Sequence, residues 1–130
     1  MHATWWSNAL LVGVGGFIGS ALRYGISGLV HSLARSQSFP YGTLVVNISG
    51  CLAIGLLGGL VDTRLVLGPQ LRLFLFLGLL GGFTTFSTFG YETLMLARDA
   101  EFLRASANVV VHVTIGLLAV WLGLAAARMW

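Results

Sequence analysis

Residues 81–89 read Gly-Gly-Phe-Thr-Thr-Phe-Ser-Thr-Phe, within a hydrophobic segment that carries no charge from residue 73 to residue 91. Glycines weaken a helix and hydroxyls compete for its backbone carbonyls, so a continuous lipid-facing helix is not expected here. We predict that the helix breaks at Gly81 and Gly82 and frees carbonyl groups there. Such backbone persists at membrane depth only where it is buried in protein or lines a polar cavity.

The composition of the whole chain is that of an integral membrane protein. Of its 130 residues, 57% are hydrophobic and 8% are charged, against about 25% charged in ordinary soluble domains. A bilayer-spanning helix needs about 20 apolar residues, and four stretches meet that length, at 5–33, 43–61, 71–98 and 103–127. We therefore predict an all-α membrane protein with four transmembrane helices, the third of them broken, forming a single domain over residues 1–130.

The placement of arginine gives little preference for one orientation in the membrane. Four spans put both termini and the connection between the second and third spans on one side. That side carries Arg64, Arg72 and Arg128, and the opposite side carries Arg35, Arg98 and Arg104. Because Lys and Arg in short loops set orientation, we predict dual topology and an antiparallel homodimer. The alternative is that counts of three are too small to decide orientation.

Polar residues occur inside the first two spans. Arg23 lies within the first span, where a charge is costly, and it is either an anchor at a helix end or a charge that attracts an anion. In the second span, Thr43, Asn47 and Gly50 recur at i, i+4 and i+7 and share one helical face. An amide in hydrocarbon needs a partner, so Asn47 either bonds a neighbouring helix or faces a hydrated pore.

Polar and aromatic residues also share helical faces in the third and fourth spans. Phe86 and Phe89 are three residues apart and share a face. Because the edges of a phenyl ring carry positive partial charge, two such rings are candidates to bind a small anion, and the alternative is that they only pack the core. In the fourth span, Asn108 and His112 stand at i, i+4. His112 is either a proton relay or a hydrogen-bonding partner of a neighbouring helix.

Three motifs together resemble the Fluc (CrcB-type) fluoride channels. They are Gly-Gly-x-x-Gly-x-x-x-Arg-Tyr at 15–24, Gly-Thr-Leu-x-Val-Asn-x-x-Gly at 42–50 and Gly-Gly-Phe-Thr-Thr-Phe-Ser-Thr-Phe at 81–89. The resemblance covers essentially the whole chain, and the third motif is the most specific. It implies a four-helix protomer in an antiparallel dual-topology dimer of a bacterial inner or plasma membrane. Each such dimer contains two pathways through which fluoride leaves the cytoplasm passively.

The resemblance also implies roles for individual residues. The fluoride pathway would be lined by Phe86, Phe89, Asn47, Thr43, Ser87 and Thr88. Arg23 and Glu92 would lie in the vestibule. The backbone carbonyls of Gly81 and Thr84 would hold a structural Na⁺ at the dimer interface. The chain departs from the family at Asn108 and His112, so the contribution of the fourth span stays open.

Other functional classes fit the sequence less well. No carboxylate pair, metal cluster, P-loop or Ser/His/Asp set can be assembled, so we predict that the protein is not an enzyme. All seven basic residues are dispersed Arg, without the basic run or aromatic platform of nucleic-acid binders. The main alternative is a small multidrug-type proton-coupled exporter. That mechanism requires a carboxylate in the first span, and residues 5–33 contain none.

Overall fold

The computed structural model describes residues 2–35, 38–63 and 67–129, and every regular element in these ranges is helical. The elements are α1 (His2–Leu33), α2 (Tyr41–Thr63), α3 (Pro69–Arg72), a π-helix (Leu73–Leu80), α4 (Gly81–Phe83), α5 (Phe86–Arg98) and α6 (Phe102–Met129). The third span runs from α3 to α5. Four segments of the described chain are long and apolar enough to cross a membrane, which confirms the predicted four-span helical fold. Arg64 lies outside the described residues.

The fold is built on two close helix contacts, one of which joins α2 to α6. A side-chain carbon added to Gly55 would lie 2.2 Å from the backbone oxygen of Val120, and one added to Gly123 would lie 2.4 Å from that of Leu52. Both distances are far below van der Waals contact, so only glycine allows the two backbones to approach this closely. Small residues are the usual basis of helix packing in membranes.

The second close contact joins α1 to the first half of the third span. A carbon added to Gly19 would lie 2.1 Å from the backbone oxygen of Leu79, and one added to Gly82 would lie 2.5 Å from that of Gly16. These glycines therefore pack helices within one protomer. The π-helix lies in this contact, and such helices are rare and often mark functional regions.

The break in the third span lies at Thr84 and Thr85, so the prediction that placed it at Gly81 and Gly82 was wrong. Both glycines belong to α4, whereas Thr84 (φ −85°, ψ 156°) and Thr85 (φ −149°, ψ 114°) are extended. Glycine weakens a helix without ending it, and here Gly82 is needed for the contact with α1. The hydroxyl oxygen of Thr85 accepts a hydrogen bond from the Thr88 N–H at 3.2 Å and so caps α5.

Few large side chains are buried in the core of the described chain. Val46 and Asn108 are the largest fully buried side chains among the described residues, while large apolar side chains such as Phe17 and Leu103 are exposed. Outward apolar side chains on a membrane protein face lipid or another subunit, because lipid tails offer them as apolar a surrounding as a protein core does. The interior contacts are therefore made mainly by backbone and small residues.

Candidate functional site

The break is held in place by the side-chain amide of Asn47 on α2. Its Nδ2 donates to the carbonyl oxygen of Thr85 at 3.0 Å, and its Oδ1 accepts from the N–H of Thr85 at 2.8 Å. The amide thus satisfies both backbone groups of Thr85, the residue that the break takes out of the helix. The sequence left two roles open for Asn47, and the structure shows that it bonds a neighbouring span while also lining an open groove.

The carbonyls of Gly81 and Thr84 are among those that lose their usual helical donors at the break. In an α-helix the carbonyl of Gly81 would accept from the N–H of Thr85, and that of Thr84 would accept from the N–H of Thr88. Instead the Thr85 N–H donates to Asn47, and the Thr88 N–H donates to the hydroxyl of Thr85. Both Gly81 and Thr84 line the groove at the surface of the protomer.

Hydroxyl groups cluster on the other side of the break. The Thr85 hydroxyl donates to the hydroxyl of Thr88 at 3.0 Å and lies 3.3 Å from that of Ser87. Ser87 and Thr88 are exposed on the protomer, whereas Thr85 is buried. The sequence motif predicted roles for Ser87 and Thr88 but missed Thr85, which connects them to Asn47. Threonine is a preferred N-cap residue, and Thr85 directly precedes the first residue of α5. This is the sequence signal that could have identified Thr85.

The groove of about 410 Å³ contains the two phenylalanines. The ring centroids of Phe86 and Phe89 are 5.5 Å apart. Phe86 is 83% exposed, so it is not a core residue of the protomer, and Phe89 is half-buried against the His112 ring at 4.5 Å. The groove brings together five of the predicted site residues: Asn47, Gly81, Thr84, Phe86 and Phe89.

A second open cavity, of about 450 Å³, lies on the other side of the break and contains Arg23. Thr43 and Thr88 also line it, and Thr85 lines both this cavity and the groove. Arg23 forms no ion pair with any described residue. The cavity therefore holds a cation that has no ion-pair partner among the described residues, and the Thr85 segment separates it from the groove.

Glu92 lies on α5 beside this cavity and is bound by Thr43. The buried Thr43 hydroxyl donates to Oε1 of Glu92 at 2.7 Å, while Oε2 of the same carboxyl is buried without a partner among the described residues. The imidazole of His31 packs against Gly42. A side-chain carbon added to Gly42 would lie 2.8 Å from Nε2 of His31. The structure thus connects the predicted residues Thr43 and Glu92 directly.

The fourth span supports Phe89 through a network that sequence reasoning did not find. The amide of Asn108, fully buried, donates from Nδ2 to the Thr93 hydroxyl at 2.9 Å, and that hydroxyl donates to the carbonyl of Phe89 at 2.7 Å. His112 hydrogen-bonds the carbonyl of Asn108, on its own helix rather than on a neighbour. The fold shows that Asn108 reaches the backbone of Phe89 through Thr93, and that His112 packs against the Phe89 ring.

The side chains of the described residues do not form a metal site by themselves. No three His, Cys, Asp or Glu side chains come together in residues 2–35, 38–63 and 67–129. A cation at the break would be bound by backbone oxygens, and carbonyls released from the helical ladder are hard ligands suited to an alkali cation. The carbonyls of Gly81 and Thr84 are without their helical donors and could therefore bind such a cation.

Comparison with known proteins identifies close relatives of this chain. The family model described as CrcB-like protein, Camphor Resistance (CrcB), matches residues 10–124. A protein of Methylobacillus flagellatus named fluoride-specific ion channel FluC is 47% identical over 120 residues, which are 92% of this chain and 94% of the relative. A FluC of Chloroflexus aurantiacus is 48% identical over 94% of this chain and 96% of its own length. A third, of Geotalea daltonii, is 46% identical over 92% and 95%.

Proposed function

The chain belongs to the CrcB-like family, and we propose that it is a fluoride-selective channel through which fluoride leaves the cytoplasm passively. It is a multi-pass membrane protein and not an enzyme. The observation that carries the proposal is the break at Thr84 and Thr85, pinned by Asn47, which sets two phenyl rings and a cluster of hydroxyls beside one another. An amide, hydroxyls and phenyl rings beside one another provide weak contacts to an ion, as conduction requires.

The chemistry of these residues suits a small, strongly hydrated anion. Replacing the hydration shell of fluoride takes several weak donors, each too weak to hold the ion permanently. The ring edges of Phe86 and Phe89 supply positive partial charge, and the Asn47 amide and the hydroxyls of Thr43, Ser87 and Thr88 supply donors. Arg23, unpaired among the described residues in the neighbouring cavity, attracts anions toward the break without binding them within the groove.

The functional unit in this proposal is an antiparallel homodimer with two fluoride pathways. One protomer leaves the groove open and Phe86 83% exposed, so a second protomer is needed to enclose the pathway. The balanced arginine count favours insertion in both orientations. A two-fold axis in the membrane plane would give the dimer two grooves with opposite orientations across the membrane.

A structural Na⁺ at the dimer interface fits the same residues. The carbonyls of Gly81 and Thr84 lack their helical donors and line the exposed groove. Four such oxygens, two from each protomer, would provide hard ligands for an alkali cation. The ion would neutralise these partial negative charges and hold the two broken helices together.

An efflux assay on reconstituted protein tests the proposed function. Liposomes loaded with fluoride or with chloride are diluted into isotonic buffer, and the released anion is followed with an ion-selective electrode after addition of a potassium ionophore. We expect rapid fluoride release and chloride release no faster than from protein-free liposomes. Equal release of both anions, or no release of fluoride, would rule out a fluoride-selective channel.

A further inference from the structure

The hydrogen bond of His112 determines which of its nitrogens carries a proton. Its Nδ1 lies 2.9 Å from the carbonyl oxygen of Asn108, and a carbonyl oxygen only accepts hydrogen bonds. Nδ1 therefore carries the hydrogen. In the neutral ring this leaves Nε2 with a lone pair and no hydrogen, so the neutral side chain has no donor to offer from that nitrogen.

Nε2 of His112 is buried and has no partner among the described residues. The ring packs against Phe89, with centroids 4.5 Å apart, and lines the groove that contains Phe86 and Phe89. Buried polar atoms are almost always hydrogen-bonded, and one that is not calls for an explanation. A proton on Nε2 would give the ring a positive charge beside the groove that the residue lines.

We propose that protonation of His112 adds a positive charge to the wall of the pathway beside Phe89, so that acid increases the affinity of the channel for fluoride. The proposal rests on the proposed function. A positive charge a few ångströms from an anion attracts it, and more strongly in a protein than in bulk water. The retained bond from Nδ1 to Asn108 keeps the ring in place in both protonation states, because both ring nitrogens of the cation are donors.

Few other titratable groups face His112 from the helices packed against α6. From α2, Cys51 lines the same groove. From α5, Tyr91 and Glu92 line a different cavity with His31, and the carboxyl of Glu92 is bound by Thr43. The third-span residues of the groove, among them Gly81 and Thr84, do not titrate. Acid adds a positive charge to an imidazole and none to a thiol, which makes His112 the first candidate for a response to acid at this groove.

The test measures the fluoride concentration that gives half-maximal flux, with equal pH on both sides of the liposome membrane. Between pH 7.5 and pH 5.5 we expect this concentration to fall about fivefold in the wild type, the effect of one added charge close to the anion. Flux from protein-free liposomes at each pH is subtracted, because hydrogen fluoride crosses lipid. In His112→Gln, which has a similar length and no titrating group, we expect no change with pH.

Matched variants separate His112 from the other candidates. His31→Gln and Cys51→Ala should both retain the acid-dependent fall. A half-saturating concentration that does not change with pH in the wild type, or that changes equally in His112→Gln, would overturn the proposal. Fluoride flux that is present but independent of pH contradicts only this inference, whereas the absence of flux at every pH contradicts the proposed channel itself.

A second measurement needs only the folded wild-type protein. If protonation favours fluoride binding, then fluoride binding must favour protonation to the same extent. Adding saturating fluoride to weakly buffered protein in detergent, at several pH values between 7.5 and 5.5, should therefore take up a fraction of a proton per protomer. The same addition of chloride is the control. No proton uptake with fluoride would overturn the proposal independently of any variant.

Discussion

Asn47 and Thr85, which are 38 residues apart, exchange two hydrogen bonds through one side-chain amide, at 3.0 and 2.8 Å. The amide takes the place of the helical partners that Thr85 lacks in its extended conformation. One residue on α2 thereby fixes the point at which the third span stops being a helix. The arrangement of Gly81, Thr84 and Phe86 around the groove depends on that point.

Replacing Asn47 with alanine should affect both folding and flux. Asn47→Ala leaves the N–H and the carbonyl of Thr85 without partners, and each unsatisfied buried group costs about 1–3 kcal/mol. We expect lower thermal stability in detergent and at least about a tenfold loss of fluoride flux, since 1.4 kcal/mol corresponds to tenfold. Ser49→Ala is the matched control, because Ser49 is exposed and its hydroxyl bonds only its own helix. Equal flux in the two variants would contradict the role of Asn47.

Replacing either groove phenylalanine should remove conduction without unfolding the protein. Phe86→Ile and Phe89→Ile keep an apolar side chain but remove the positive ring edge. We expect fluoride efflux close to that of protein-free liposomes, with an unchanged elution volume on size exclusion. Phe102→Ile, at the start of α6 and away from the groove, should conduct normally. Unchanged flux in both groove variants would show that the rings do not line the pathway.

The contact between α1 and the third span should not tolerate even a methyl group. In Gly19→Ala the new carbon would lie 2.1 Å from the backbone oxygen of Leu79, so the helices must separate. Overpacking of this kind costs about 1–3 kcal/mol, and we expect a matching fall in thermal stability. Gly25→Ala, on the same helix, meets nothing within 4 Å and should be neutral or slightly stabilising. Equal melting temperatures for the two variants would contradict the packing described for Gly19.

Removing sodium should inactivate the channel if the carbonyls of Gly81 and Thr84 hold a structural cation. Protein purified and reconstituted with a bulky organic cation in place of sodium, on both sides of the membrane, should lose fluoride flux. Returning sodium should restore it with a saturating dependence on concentration. Undiminished flux under rigorously sodium-free conditions would make a required ion untenable, while leaving the fluoride pathway itself unaffected.

The four spans and the polar face of α2 could be predicted from the sequence because both depend on local pattern. Hydrophobic length alone defines the spans, and the spacing of Thr43, Asn47 and Gly50 places them on one face. The structure agrees, since Asn47 and Gly50 line the groove and Thr43 binds Glu92. An added carbon on Gly50 would lie 2.2 Å from the Thr84 side chain, so this position also leaves room for the break.

The position of the break could not be predicted from the sequence, because two distant contacts determine it. Gly82 is helical because α1 packs against it, and Thr85 is extended because Asn47 satisfies its backbone. Local preference alone favours the glycines as the breaking point. The same limit applies to Asn108 and His112, whose spacing is visible in the sequence while their contacts with Thr93 and Phe89 depend on how α5 meets α6.

The double hydrogen bond of Asn47 also restricts how the chain can change in length. The Asn47 amide lies at one fixed height on α2. Only the third-span residue that lies opposite this amide can form the two backbone hydrogen bonds, and in this chain that residue is Thr85. Adding or deleting one residue between 86 and 89 would rotate the rest of α5 by about 100° relative to Phe86, which would turn Phe89 away from it. Connections between spans accept insertions far more readily. We therefore expect related channels to vary in length at their loops and to keep a constant number of residues between the pinned threonine and the second phenylalanine.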